Sequence, residues 1–156
     1  METRKHIRIV IYALMTLAVM TGIFLLSAQD ASHSSSLSDG FLTTDVGRLI
    51  AGLFPNITGE GANHDIRKLA HIFEFFCLGV TGALLFGELC AKRMKAFLFS
   101  LLLGFLYACS DEWHQTFVPG RSGRFSDVCI DFFGVLLGAA GVAVILLLTA
   151  RKRSRN

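Results

Sequence analysis

The chain has 156 residues, of which 53% are hydrophobic and 17% are charged, and its mean hydropathy is +0.55. A soluble domain of this size usually carries about 25% charged residues, so the composition excludes an ordinary soluble protein. The formal net charge of +3 comes from short basic clusters between apolar stretches, a distribution typical of membrane orientation and not of nucleic-acid binding. We therefore predict a polytopic membrane protein with one domain over residues 1–156.

The first apolar stretch, Ile9 to Ala28, carries no charge and is long enough to cross a hydrocarbon core of about 30 Å. Basic residues precede it, as they do in a signal peptide. However, the apolar part of a signal peptide is shorter, roughly 7–15 residues. The best cleavage position, after Ala28, also has the large residue Leu26 two places before it. We predict a retained transmembrane helix over residues 7–28.

The loop from residue 29 to residue 65 begins with a serine-rich run and then becomes amphipathic. Its apolar residues recur at helical spacing: Phe41, Leu42, Val46, Leu49, Ile50 and Leu53. This pattern predicts a short amphipathic helix lying on the outer leaflet of the membrane. A helix packed across the mouth of the bundle is the alternative.

The second predicted transmembrane helix, residues 66–88, carries Lys68, His71 and Glu74 at intervals of three residues. This spacing places all three side chains on one broad stripe of the helix. Such a stripe favours a functional site, because ionisable groups inside a membrane are costly. The alternative is a polar trio that only holds neighbouring helices together.

The third predicted helix, residues 95–114, ends in a polar group of residues: Asp111, Glu112, His114 and Gln115. Helical geometry places Asp111 on the same face as His114 and Gln115, whereas Glu112 points about 100° away. An acid, an imidazole and an amide this close together indicate a site. Polar residues that merely solvate the end of a helix are the alternative.

The next turn, VPGRSGR, contains two arginines whose planar guanidinium groups suit phosphate or carboxylate. Ser126 is a candidate N-cap for the fourth helix, whose positive end would then face Arg121 and Arg124. These features predict an anion-binding site. The alternative is that the two arginines neutralise the nearby acids.

The fourth predicted helix, residues 127–149, carries Asp127 and Asp131 one turn apart on one face. Gly134 and Gly138 continue that face as a GxxxG pattern, which permits close helix approach. We therefore expect Asp131 to face the interior of the bundle.

The polar residues of three helices thus fall at the same end of the predicted bundle. Ten of the fifteen basic residues fall at the other end: Arg4, Lys5, Arg8, Lys92, Arg93, Lys95, Arg151, Lys152, Arg153 and Arg155. The positive-inside rule then places both termini in the cytoplasm and the polar site at the outer face of the plasma membrane. The acids and histidines include types that bind metals, but no compact metal-binding motif is present, so we predict no metal. The sequence does not identify a cofactor or an oligomeric state.

Two segments, KLAHIFEF and SDEWHQTFVPGRSGRFSDVCIDFFGVLLG, resemble the VanZ-like family over about residues 66–140. The resemblance implies a small bacterial integral membrane protein. The namesake of the family is an accessory factor in glycopeptide resistance, associated with teicoplanin. The family pattern falls on Lys68, His71, Asp111, Glu112, His114, Gln115, Arg121, Asp127 and Asp131. Phe75 is a departure, since many relatives have tyrosine at that position.

Three hypotheses follow for the site. In the first, it binds or remodels an anionic lipid headgroup or cell-wall precursor through Lys68, Asp111, Gln115, Arg121, Arg124, Asp127 and Asp131. In the second, it is an enzyme acting on a lipid-linked substrate, with Glu112 or Glu74 as general base and His114 or His71 as proton donor. In the third, the polar residues only hold the bundle together. We favour the first.

Overall fold

The computed structural model describes residues 2–30, 36, 40–53 and 62–155, which contain helices and no strand. The helices are Glu2–Ser27 (α1), Asp45–Leu53 (α2), Ala62–Leu89 (α3), Arg93–Gln115 (α4) and Phe125–Arg155 (α5). The two prolines of the chain, Pro55 and Pro119, lie outside the residue ranges of these helices. Every interior residue of these helices therefore has a backbone N–H donor. The predicted all-α fold is confirmed.

Four of the helices, α1, α3, α4 and α5, are long and apolar enough to cross a membrane. Large apolar side chains such as Leu14, Leu98 and Leu148 are exposed along their outer faces. Soluble proteins rarely expose continuous apolar surface of this kind, whereas lipid tails solvate it. The predicted bundle of four transmembrane helices is therefore confirmed.

Most of the helices extend beyond the bounds predicted for them, although α1 ends at Ser27, one residue before its predicted end. The last one, predicted over 127–149, continues to Arg155, because arginine and lysine favour helix and can extend it past the hydrocarbon layer. It also begins earlier, since the N–H groups of Asp127 and Val128 bond to the carbonyl of Arg124 at 2.9 and 3.4 Å. Ser126 therefore lies within the first turn of α5, and its predicted role as the N-cap was wrong.

Helix α3 packs against α1, α4 and α5, and its contact with α5 is the most extensive. Two glycines of α5 allow this close approach: Gly134 lies against the carbonyl oxygen of Ile72, and Gly138 against that of Phe76. A Cβ atom at either glycine would overlap the α3 backbone. The GxxxG prediction is confirmed, and Asp131, on the same face of α5, is held inside the bundle.

The apolar core lies next to this glycine contact. Ile23, Phe75, Leu78, Ala108 and Val135, which come from all four long helices, form its buried centre. Phe75 is fully buried and is therefore a core residue.

The first loop contains the nine-residue helix α2. It begins later than the apolar pattern, because the chain turns at Thr43 and Thr44, and the Thr44 hydroxyl accepts the backbone N–H of Gly47 at 3.1 Å. A threonine in this position is a typical N-cap. Its placement on the outer leaflet stays a prediction.

Candidate functional site

Asp111, near the end of α4, is a buried carboxylate that joins two helices. Its Oδ2 atom accepts hydrogen bonds from the Ser27 hydroxyl and from the side-chain amide of Gln115, both at 2.9 Å. Gln115 follows Asp111 by four residues, so the two side chains share a helix face, as predicted. Ser27 belongs to the last turn of α1. Asp111 therefore connects α1 with α4 at this end of the bundle.

A second buried carboxylate, Asp131 of α5, faces His71 of α3. The Nδ1 atom of His71 lies 3.3 Å from Oδ1 of Asp131. Asp131 is only 1% exposed, and its other oxygen, Oδ2, has no hydrogen-bond partner among the described residues. A buried acceptor without a partner is costly and rare in folded proteins. This pair therefore connects α3 with α5 and leaves one acceptor unsatisfied.

The connection between α4 and α5, residues 116–124, folds back over the end of α4. The Oε2 atom of Glu112 accepts the backbone N–H of Arg124 at 2.8 Å. Gly120 has a φ angle of 73°, which side chains with a Cβ rarely adopt. Gly123 lies against the carbonyl oxygen of Glu112, where a Cβ atom would overlap it. The two glycines allow the loop to pack closely over Glu112.

Arg121 reaches inward from this loop, and its hydrogen bonds are weak. One guanidinium nitrogen donates to Gln115 Oε1 and another to the carbonyl of Leu26, both at the long distance of 3.4 Å. The buried Nε atom has no partner among the described residues. Burial, followed by the nearby charge of Arg67, lowers the pKa of Arg121, although a guanidinium stays protonated at neutral pH. Arg121 is therefore a cation with unused donors.

These side chains surround a cavity of about 240 Å³ at one end of α3, α4 and α5. Its basic lining residues are Arg67, Lys68, Arg121 and Arg124. Its acidic lining residues are Glu112, Asp127 and Asp131, and its other polar residues include His71 and Gln115. Thus eight of the eleven candidate residues from the sequence line one cavity, and Asp111 is bonded directly to one of them, Gln115.

Besides Asp111, two candidate residues lie outside this lining, His114 and Glu74. The His114 ring packs against Phe24 of α1, with the ring centroids 4.6 Å apart. His114 Nδ1 and Glu74 Oε2 are both buried and have no hydrogen-bond partner in the described part of the chain. The sequence grouped His114 with Asp111 and Gln115, and both His114 and Asp111 face α1, His114 through Phe24 and Asp111 through Ser27.

Sequence reasoning missed two residues of this region, Arg67 and Ser27. Arg67 lines the cavity beside Lys68, and the basic pair at the start of the second apolar segment was the available signal. Ser27 is fully buried against Asp111, but it ends an apolar run in which a hydroxyl is unremarkable. Only the packing of α1 on α4 shows its role.

Ser27→Ala is expected to lower the free energy of unfolding by about 1–3 kcal/mol, because buried Asp111 would lose one of its two donors. The measurement is an SDS titration in mixed micelles followed by circular dichroism. Ser110→Ala is the matched control, since Ser110 is exposed and bonds only within its own helix turn in the described structure. Its effect should stay within about 0.5 kcal/mol. Equal losses in both variants would contradict the role of Ser27.

The family model described as VanZ/LLP1 matches residues 10–148, which covers α3 and α4 completely, most of α1 and α5, and every residue that lines the cavity. No curated protein and no solved structure matches the chain.

Proposed function

The chain belongs to the VanZ/LLP1 family, and from this premise we propose that its cavity binds an anionic lipid headgroup or cell-wall precursor. In this proposal residues 1–156 form a single domain in the plasma membrane. Both termini are cytoplasmic, and the cavity opens at the extracytoplasmic face.

The observation that carries the proposal is the basic lining of the cavity. Four basic side chains line it, and Arg121 presents a guanidinium whose hydrogen bonds are few and long. Guanidinium groups form their strongest hydrogen bonds with phosphate and carboxylate oxygens. The volume of about 240 Å³ is below the roughly 300–1,000 Å³ of sites for drug-sized ligands. It suits a headgroup whose apolar chains remain in the bilayer.

Aromatic side chains support a position at headgroup level. Three exposed aromatic residues lie close in sequence to residues that line the cavity. They are Trp113, Phe117 and Phe125, each about 70% exposed. Tryptophan and tyrosine are enriched where a membrane meets water, so Trp113 is the residue that favours this position. The basic residues at the opposite end, including Arg8, Lys92 and Lys152, favour a cytoplasmic location for that end under the positive-inside rule.

The proposal links the site to teicoplanin, which carries a lipid tail. Occupancy or alteration of the outer leaflet at this cavity would weaken the binding of that tail to the membrane. We therefore expect cells that produce the protein to tolerate teicoplanin more than vancomycin. The measurement compares inhibitory concentrations of both drugs in a deletion host with the wild-type gene or an empty vector. Equal changes for the two drugs, or no change, would count against the proposal.

The second candidate function is an acid–base enzyme acting on a lipid-linked substrate. The observation that favours it is the presence of Glu112 and His71 in the cavity lining beside Arg121, which could stabilise developing negative charge. Glu74 and His114 contribute further buried atoms without partners in the described chain.

Mass spectrometry of envelope lipids and cell-wall precursors separates the two functions. The deletion host would carry the wild type, Glu112→Gln or an empty vector, with membrane levels matched by immunoblot. A covalently altered species found only with the wild type would establish the enzyme and identify its substrate. An unchanged inventory, together with a teicoplanin difference that depends on the wild type, would favour binding. Loss of function in proportion to loss of protein would instead indicate a purely structural role.

A further inference from the structure

Three side chains with metal-binding atoms meet beside the cavity, each from a different helix. They are His71 of α3, Asp111 of α4 and Asp131 of α5, and one candidate ligand atom of each lies within 4.8 Å of the others. These residues lie far apart in sequence and form no compact motif, so the sequence alone led to the prediction of no metal, and only the packing of the three helices brings them together.

The burial and charge of this cluster favour a bound cation. Asp111 is 4% exposed and Asp131 is 1% exposed. Among the described residues, no lysine or arginine lies within ion-pair distance of either carboxylate, and His71 is the only ion-pair partner of Asp131. Oδ2 of Asp131 is also buried without a hydrogen-bond partner. Buried carboxylates normally pair with a cation or coordinate a metal ion.

One pair of atoms in the cluster already has the separation of two ligands on a small transition-metal ion, and the third ligand atom lies within 4.8 Å of both. Two ligands at about 2.0–2.1 Å from a tetrahedral zinc ion lie about 3.3 Å apart. Nδ1 of His71 and Oδ1 of Asp131 are separated by 3.3 Å. An imidazole ligand favours zinc and similar metals over magnesium and calcium, which prefer oxygen ligands alone.

Hydrogen bonds hold the Asp111 carboxylate in position, as they do for carboxylates that bind metals. Ser27 and Gln115 both donate to its Oδ2 atom, and neither bond occupies Oδ1. Such outer hydrogen bonds orient ligating carboxylates in metalloproteins. His71 and Asp131 both line the cavity, so a fourth coordination position would open into it.

We infer that His71, Asp111 and Asp131 bind one divalent transition-metal ion of the zinc type, with an exchangeable position that faces the cavity. Ser27 is a positioning residue, because it acts on the ion only through Asp111. The inference stands on the geometry of the cluster and holds whether or not the cavity takes a lipid headgroup.

The test measures metal binding to the full chain, purified in detergent, stripped with a chelator and supplied with no lipid ligand. Zn²⁺ is titrated by calorimetry, and Co²⁺ is added as a spectroscopic probe of the ligand set. We expect one equivalent of Zn²⁺ to bind, and Mg²⁺ at the same concentration to leave its affinity unchanged. Co²⁺ should show the visible absorption of a low-coordinate site.

Variants assign the ligands. His71→Gln and Asp131→Asn should each weaken Zn²⁺ binding more than about 100-fold, whereas Ser27→Ala should weaken it roughly 10-fold. His6→Gln is the matched control, because His6 lies in the first turns of α1 and outside the cluster, and it should leave the affinity unchanged. Circular dichroism and gel filtration check that each variant folds. If Asp131→Asn does not fold, His71→Gln and Ser27→Ala decide the question.

Two results would overturn the inference. One is the absence of stoichiometric Zn²⁺ binding by the wild type, which would show that protons and the hydrogen bonds from His71, Ser27 and Gln115 satisfy the buried carboxylates. The other is Zn²⁺ binding that the folded variants of the cluster leave unchanged. Because the assay contains no headgroup, neither result bears on the proposed lipid binding, and failure of lipid binding would leave the metal assay unaffected.

Discussion

Arg121→Gln is expected to weaken binding of phosphatidylglycerol about 30-fold, because the cavity would lose a cation whose buried Nε has no partner among the described residues. Hydrogen bonds to charged groups contribute roughly 1.5–3 kcal/mol, and about 1.4 kcal/mol corresponds to a tenfold change in affinity. The glutamine side chain keeps hydrogen-bonding capacity and removes the charge. The measurement is a titration of the protein in phosphatidylcholine nanodiscs with short-chain phosphatidylglycerol. The fluorescence of Trp113, the one tryptophan of the chain, reports binding.

Arg48→Gln is the matched control for this prediction. Arg48 is an exposed residue of α2 that lies 3.7 Å from Asp45, and it does not line the cavity. Removing its charge tests whether general attraction between basic residues and anionic lipid explains the binding. We expect its effect to stay below about threefold. A similar loss in both variants, or undiminished binding in Arg121→Gln, would contradict the anion site.

Gly138→Val is expected to lower the free energy of unfolding by about 3 kcal/mol or more. The new side chain would overlap the carbonyl oxygen of Phe76 and crowd the backbone N–H of Val80. Overpacking in a dense core typically costs about 1–3 kcal/mol, and here the obstacle is backbone, which cannot rotate away. The measurement is an SDS titration in mixed micelles followed by circular dichroism.

Gly141→Val provides the control on the same helix. Gly141 is exposed, and a Cβ atom there would meet nothing within 4 Å in the described structure. Valine at this position should change the free energy of unfolding by less than about 1 kcal/mol. If Gly138→Val were as stable as Gly141→Val, the close approach of α3 and α5 would not be a feature of the folded protein.

The sequence predicted the four long helices because their apolar segments are continuous and free of proline. The predicted ends of these helices were less accurate than the predicted helices themselves. Apolar composition marks where a helix leaves the hydrocarbon layer, whereas backbone hydrogen bonding decides where the helix itself stops. Helix α5 shows the difference, since it continues to Arg155 beyond the predicted end at residue 149.

The face of α5 was also predictable, because intervals of three and four residues place side chains on one side of a helix. Asp131, Gly134 and Gly138 are all buried, and the two glycines meet α3. The same reasoning paired Asp111 with Gln115, and the structure shows them bonded at 2.9 Å. These relations depend only on local geometry within one helix.

Contacts between helices were decided by the tertiary structure. The sequence located polar residues at one end of the bundle, but it did not determine how each helix is rotated against its neighbours. That rotation brings His71 to Asp131 and Ser27 to Asp111, and it turns His114 toward Phe24. Helical periodicity fixes the relative direction of side chains within one segment. Their direction toward another segment depends on the packing of whole helix surfaces, for which one sequence has no local signal.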